Sequence, residues 1–256
     1  MPPRSVITEN GRSGRPPAGI LVISPHFDDG VLSCGRLLAD SPGSHVLTVF
    51  AGDPPSALGL TDWDRACGFA SSEEAMASRR AEDNEAIALL GARPVRLAYR
   101  DSQYCEAGDG PEAADIAREI ARVACEVEPS AVFLPLGLFH SDHRLAHDGA
   151  MQAHWELAEQ GREKGILRAG WFLYADALYR TIPELLARRL DELQARRVAV
   201  SPVEFEIGAD ASEKKEAAAA CYRSQLRGLA TPGRLGMGDV ARPETYWRLD
   251  DARRRA

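Results

Sequence analysis

Gly19-Ile-Leu-Val-Ile-Ser24 is an unbroken apolar run, and it limits the fold more than any other segment. A strand with one wet face alternates apolar and polar residues. A run without alternation is buried on both faces, as in a parallel sheet covered by helices. The run ends in Pro25-His26-Phe27-Asp28-Asp29-Gly30. Val31, Leu32, Cys34, Leu37 and Leu38 then fall at helical spacing, and Asp40-Ser41-Pro42-Gly43 stops that helix. His45 to Phe50 is a second strand-like run. Strand, loop, helix and strand in this order form a βαβ unit. The expected fold is α/β, a Rossmann-like three-layer sandwich with a mostly parallel central sheet.

The pattern continues along the chain. Residues 51–72 read as loop. A helix is expected from Ser72 to about Leu90, with acidic Glu73 and Glu74 in its first turn and Gly91 behind it. Strands follow at 94–98, 130–135 and 170–175. Helices are expected at 111–127, opened by Pro111, and at 141–159. Beyond Ala175 the signal weakens: helix at 182–195, strand at 197–203, helix at 211–227, loop at 228–243, and a short strand at 244–249. Residues 19–249 are read as a single domain, with 177–243 shaping substrate entry. Residues 1–18 are read as a polar tail and 250–256 as a frayed end.

Composition narrows the function. Of 256 residues, 31 are Lys or Arg and 38 Asp or Glu, a net charge of −7, which disfavours a nucleic-acid binder. No apolar run is long enough to span a bilayer, and the first residues carry no apolar stretch of a secretion signal. The five cysteines are scattered without a C-x-x-C pair, so neither a disulfide framework nor a Cys-rich zinc site is expected. A reducing cytoplasmic compartment fits this usage.

Open parallel sheets bind ligands beyond the carboxyl ends of their strands. Two histidine-bearing segments fall there: His26-Phe27-Asp28-Asp29 after the first strand and His140-Ser141-Asp142-His143 after the fourth. A catalytic zinc takes three nitrogen or oxygen ligands and leaves one position for water. His26 and Asp29 are three residues apart, so one turn can aim both at one point; His143 completes a set of two His and one Asp. Such a set leaves the ion positively charged and makes its water more acidic. Asp28 then stands as an unligated carboxylate suited to general-base work. The same residues allow plainer readings. An Asp ahead of a helix is often only its N-cap. His147, at helical spacing from His143, is a rival ligand or a support behind the ligands.

Ser24-Pro-His-Phe-Asp-Asp-Gly-Val-Leu-Ser-Cys-Gly35 resembles the signature loop of the PIG-L/LmbE-like N-acetylglucosamine deacetylases, which runs His-Pro-Asp-Asp. His140-Ser-Asp-His143 is similar to that family's second motif, His-Pro-Asp-His. Arg79-Arg-Ala-Glu82 resembles its Arg-x-x-Glu helix, and Asp101 sits where the family has a loop Asp. Tyr222-Arg-Ser-Gln225 and Glu244-Thr-Tyr-Trp247 resemble its C-terminal segments. The resemblance spans roughly residues 19 to 249.

The resemblance implies His26, Asp29 and His143 as ligands of one Zn2+ or another divalent metal, and Asp28 as general base. It implies that His140 polarises the acyl carbonyl, and that Arg79 and Asp101 bind the substrate. The implied reaction removes an N-acetyl or other N-acyl group from a small glucosamine-containing conjugate, with metal-bound water as nucleophile. Phe27 and Ser141 replace the two motif prolines, Gly30 replaces a usual Glu, and Leu138 stands where some members carry a Tyr. The alternatives are a Rossmann-type small-molecule binder and a catalytically idle relative. Against the first, the turn after the opening strand carries two carboxylates in place of G-x-G-x-x-G and would repel a phosphate. The sequence leaves the exact substrate and the oligomeric state open.

Overall fold

The computed structural model describes residues 14–55, 59–106, 108–164, 169–233 and 238–250. Residues 1–13 and 251–256, most of the two expected tails, lie outside the described residues. In chain order the elements are β1 (Ile20–Ser24), α1 (Asp29–Ala39), β2 (His45–Thr48), α2 (Asp62–Cys67), α3 (Ser72–Leu89) and β3 (Arg93–Arg96). Then come α4 (Ala113–Val127), β4 (Ala131–Pro135), α5 (Ser141–Lys164), β5 (Gly170–Tyr174), α6 (Leu185–Ala195), β6 (Val200–Val203), α7 (Ala211–Ala220), α8 (Arg223–Leu229) and β7 (Tyr246–Leu249). Short 3-10 turns lie at Ser102–Tyr104 and Tyr179–Thr181.

Seven strands form one sheet in the order β3-β2-β1-β4-β5-β7-β6. The first five are parallel; β7 and β6 close the edge antiparallel. The chain runs outward from β1 through β2 to β3, then returns to the other side of β1 and runs outward again. Loops leaving β1 and β4 therefore diverge and open a crevice at the carboxyl edge. Both histidine motifs emerge there.

The unbroken apolar run of β1 serves two cores. Leu21 and Ile23 pack with Val132 and Leu134 of β4 against Ile116 and Ile120 of α4. Ile20 and Val22 face the other way, onto Val31, Leu37 and Leu38 of α1 and Ala218 of α7. Each side chain buried in this way contributes about 1.5–3 kcal/mol. No helix among the described residues is long and apolar enough to cross a membrane.

The structure corrects several boundaries. The expected loop 51–72 contains α2, capped by Thr61, whose Oγ1 accepts from the Asp64 amide at 3.0 Å. Six residues are too few for a helical apolar period to show. α3 starts at Ser72 as expected, capped by Ser71, whose hydroxyl accepts from the Glu74 amide. α4 starts at Ala113 behind Glu112, not at Pro111. α5 runs five residues past the expected Glu159, to Lys164. The helix expected at 211–227 is two helices broken at Cys221 and Tyr222. Distant partners make that break: Ser224 donates its amide and hydroxyl to Glu82 at 2.9 and 2.6 Å, and the Tyr222 hydroxyl bridges the Phe27 carbonyl and Asp83. Arg79-x-x-Glu82 and Tyr222-x-Ser-Gln225 thus interlock beneath the first histidine loop.

Lys215 and Glu244 form a buried ion pair at 2.8 Å between α7 and the segment before β7. Glu244 also accepts the amides of Arg36 and Leu37, which ties it to α1. The Lys215 stem crosses Gly35, where a Cβ would stand 2.7 Å from Lys215 Cγ. Removing one member of a buried pair strands the other charge. Lys215→Met is therefore expected to lower unfolding stability by about 3–5 kcal/mol, read from urea denaturation. A loss below about 1 kcal/mol, the scale of an exposed pair, would contradict this reading.

Candidate active site

The loop from β1 to α1 is shaped by Ser24. Its Oγ donates to the His26 carbonyl and accepts from the Gly30 amide at 2.8 Å. A Cβ at Gly30 would stand 3.1 Å from Ser24 Oγ and 3.2 Å from Val46, so the turn closes because that side chain is missing. Asp29 folds back, and its Oδ2 accepts the His26 amide at 2.9 Å.

Two imidazoles converge on that same oxygen. His26 Nδ1 lies 3.1 Å and His143 Nε2 3.2 Å from Asp29 Oδ2. Each ring rests its other nitrogen on a carboxylate. His26 Nε2 meets Asp142 Oδ2 at 3.1 Å, and His143 Nδ1 meets Asp176 Oδ1 at 2.6 Å. Asp142 also accepts the Ser102 amide, and Asp176 the amides of Gly137 and Leu138, so both supports are held by backbone. A carboxylate behind one ring nitrogen fixes that nitrogen as the N–H donor, so the other is the one that gives up its proton when a cation binds.

The charges follow from burial and partners. Burial works against a proton on His143, but Asp29 and Asp176 outweigh it and hold the imidazole up at about 9. His26 is likewise raised, by Asp101, Asp142 and Asp29 against burial. Asp29 is driven well below the usual carboxylate range by His143 and His26, again against burial.

The donor set fits a divalent cation. One donor atom from each of His26, Asp29 and His143 lies within 4.8 Å of the others. His143 Nε2 is fully buried, and its contact is the same Asp29 oxygen that His26 Nδ1 meets, so both nitrogens and the carboxylate face one point. His26, His140 and Asp142 form a second group of the same compactness. There His140 Nδ1 already accepts from the Asp142 amide at 3.2 Å, and Asp142 is engaged by Ser102.

Asp28 occupies the N-cap position of α1, yet its side chain makes no capping bond. Its carboxyl is raised from the usual value by burial and by Asp29, with Arg79 and His26 pulling the other way. His140 is pushed down by burial and the neighbouring histidines, so it is neutral near pH 7. Since its Nδ1 accepts, its proton is on Nε2, which leaves a donor for the crevice.

Arg79 and Asp101 are both buried and meet at 3.4 Å. Neither is a solvated surface residue. Asp101 lies 3.8 Å from His26 Nε2, so this pair borders the site. His147 stands apart from the rival-ligand expectation: its Nδ1 bonds the Pro135 carbonyl at 2.8 Å, and it belongs to neither three-residue group.

Asp176 and Tyr179 were not singled out in the sequence. Asp176 follows β5 at the same carboxyl edge, so the rule that located the two motifs also covers it. Tyr179 stacks on Phe139 at 5.3 Å and meets the His143 ring edge-on at 5.1 Å. Both aromatics sit at tight turns. Phe139 (φ 58) and Leu178 (φ 69) have left-handed backbones, bridged by His140 N to Leu138 O and Tyr179 N to Ala177 O. Such turns are strained in ordinary residues and cluster at functional sites.

Comparison with known proteins gives the family and the fold. Residues 21–154, just over half of the 256, match the family model described as PIG-L, GlcNAc-PI de-N-acetylase. The chain belongs to the PIG-L family. It is similar to the A40926 pseudoaglycone deacetylase Dbv21, at 26% identity over 91% of this chain and 96% of that one, with TM-score 0.69. The zinc-inhibited form of teicoplanin deacetylase Orf2 shares the fold at 22% identity, 91% and 100% coverage and TM-score 0.71. GalB, the 4-carboxy-2-hydroxymuconate hydratase of Pseudomonas putida, shares it at 17% identity, 90% and 95% coverage and TM-score 0.55. A search of curated proteins found no match.

His147 yields a pH prediction. Burial, then Arg189, press its pKa down to about 3. The unfolded chain takes up this proton near pH 6.5, and the folded chain refuses it until far lower. Its contribution is thus complete above about pH 6.5 and is lost as pH falls. Between pH 6 and 4, stability should fall less steeply in His147→Asn than in wild type, by up to about 1.4 kcal/mol per pH unit. Equal slopes in urea titrations would contradict a neutral buried His147.

Proposed function

We propose that this chain is a zinc- or other divalent-metal-dependent amide hydrolase that removes an N-acetyl or similar N-acyl group from a glucosamine-containing conjugate. The observation that carries it is the convergence of two buried, carboxylate-backed imidazoles on one oxygen of Asp29, at 3.1 and 3.2 Å. Family membership and the deacetylase relatives support the same reading. A hydratase among the proteins of this fold means that the site, not the fold, has to bear the argument.

His26, Asp29 and His143 would hold the metal. When bound, a divalent cation there supplies Lewis acidity toward the acyl carbonyl and makes water more acidic. Asp28, free of any capping bond and raised by burial, takes the proton of the attacking water as its oxygen adds to the acyl carbon. His140, neutral and protonated on Nε2, donates to the oxygen that gains charge. The C–N bond breaks, and the proton on Asp28 passes to the departing nitrogen. The products are a carboxylic acid and a free amine. Arg79 and Asp101 line the site where sugar hydroxyls would be read. A small soluble conjugate is the substrate this reading favours.

The purified chain is expected to hold about one zinc per molecule, the stoichiometry of one three-ligand site. Asp28→Asn should keep the metal and lose about 10²–10⁴-fold in kcat for amine release, the usual share of a general base. His143→Ala should lose the metal while keeping the wild-type circular dichroism. Metal retained in full by His143→Ala, or amine release undiminished in Asp28→Asn, would overturn the assignment.

A further inference from the structure

Tyr179 and Phe139 form an aromatic wall on the His143 side of the site, and neither enters the reaction proposed above. Tyr179 meets the His143 ring edge-on at 5.1 Å. Phe139 stacks on Tyr179 at 5.3 Å with 25° between the planes, which covers one face of the Phe139 ring. The residue is still 65% exposed. Two other large apolar side chains are exposed among the described residues, Leu89 and Trp155, and both are on helices. Phe139 instead sits in the turn one residue before His140, at φ 58. Such a backbone suits Gly and is costly for a bulky residue. A strained turn that holds an aromatic face open beside a candidate metal centre is a functional arrangement.

The ring continues into a hollow of about 220 Å³, walled by Phe139, Leu185, Glu192 and three arginines, Arg144, Arg188 and Arg189. Whole-ligand pockets run to about 300–1,000 Å³, so this hollow has room for one end of a ligand. Its charges are largely spent within the protein. Glu192 accepts from Arg144 Nη2 at 3.1 and 3.2 Å and from Arg189 Nη1 at 3.0 Å. Arg189 Nε donates to the Leu136 carbonyl at 2.8 Å. What the walls offer is a phenyl face, a leucine and guanidinium planes. Guanidinium planes and phenyl faces both stack on a flat aromatic group.

Position relative to the scissile bond decides which end of the substrate comes here. Arg79 and Asp101, where the sugar would be read, border the site at His26, with Asp101 3.8 Å from His26 Nε2. The aromatic wall borders it at His143. The two imidazoles reach Asp29 from separate loops, so the two borders stand at opposite ends of the ligand set. A secondary amide is trans, and its two substituents leave the carbonyl in opposite directions. With the amine portion on the His26 side, the acyl portion points to Tyr179 and Phe139.

We infer that Phe139 and Tyr179 are the wall of an acyl subsite, which takes an aryl acyl group of the size of phenylacetyl. The inference rests on the amide-hydrolase reading above and adds to it the class of acyl group removed. The methyl of an acetyl group would leave the Phe139 face in water, whereas an aryl group covers it and fills the hollow behind.

The test measures amine release from N-acetyl-, N-cyclohexylacetyl- and N-phenylacetylglucosamine, and from the phenyl glycoside of N-acetylglucosamine. In wild type, the phenylacetyl amide should exceed the acetyl amide by about tenfold or more in kcat/KM, the scale of half-burying a ring. It should exceed the cyclohexylacetyl amide, equal in size but without a π face, by about threefold or more. Phe139→Gly relieves the backbone and should fold, as circular dichroism will read; it should bring both ratios close to one, chiefly through KM. Phe139→Tyr should restore them. A wild-type ratio of phenylacetyl to acetyl near one, or ratios unmoved in Phe139→Gly, overturns the subsite. Equal rates for the phenylacetyl and cyclohexylacetyl amides overturn the aryl assignment. An advantage confined to the phenyl glycoside also refutes it, because the wall would then serve the sugar's substituent. If no amide is hydrolysed, the hydrolase reading has failed, and calorimetric titration with phenylacetamide and acetamide decides the subsite alone. Phenylacetamide binding that Phe139→Gly abolishes upholds it; absence of binding refutes it.

Discussion

The site depends on one small arrangement: two histidines from opposite sides of the sheet's switch point aim at one oxygen of Asp29. They do so because each is fixed from behind. Asp142 holds His26 and Asp176 holds His143, and both carboxylates are themselves pinned by backbone amides. A buried imidazole with one nitrogen held on a carboxylate can give up the proton of the other to an incoming cation. Two such nitrogens beside a carboxylate are a donor set that could hold a cation. The same burial leaves Asp28 raised and His140 neutral, which suits them to the base and donor roles proposed for them.

Elsewhere the scaffold works to hold this loop geometry. Tyr222 reaches the Phe27 carbonyl from the break between α7 and α8, and Glu82 caps α8 at that break. Lys215 and Glu244 join α1, α7 and the last strand beneath the site. The strain at Phe139 and Leu178 is borne where the two aromatics meet over His143. Polar groups buried this deeply are stabilising only as complete networks, which is why single removals are costly.

Much of this was legible in the sequence, for physical reasons. An apolar run without alternation means a doubly covered strand, and Ile20–Ser24 is one. The i, i+3 spacing of His26 and Asp29 put both on one turn, and placement after two parallel strands brought His143 to them. What was not legible came from contacts distant in sequence. Asp176 is 33 residues from the ring it supports, with no spacing signal between them. The α7–α8 break is set by Glu82, 142 residues away. α2 is too short to show a period. Nor did the sequence show that Phe27, in place of a motif proline, puts a buried ring 5.9 Å from the Arg79 guanidinium and 5.5 Å from that of Arg96.

The most direct test of the account is X-ray absorption at the zinc edge of the metal-loaded protein. The account predicts a shell of nitrogen and oxygen only, at about 2.0–2.2 Å, with outer-shell scattering from two imidazoles. A shell containing sulfur, or one without imidazole scattering, would contradict a centre built on His26, Asp29 and His143.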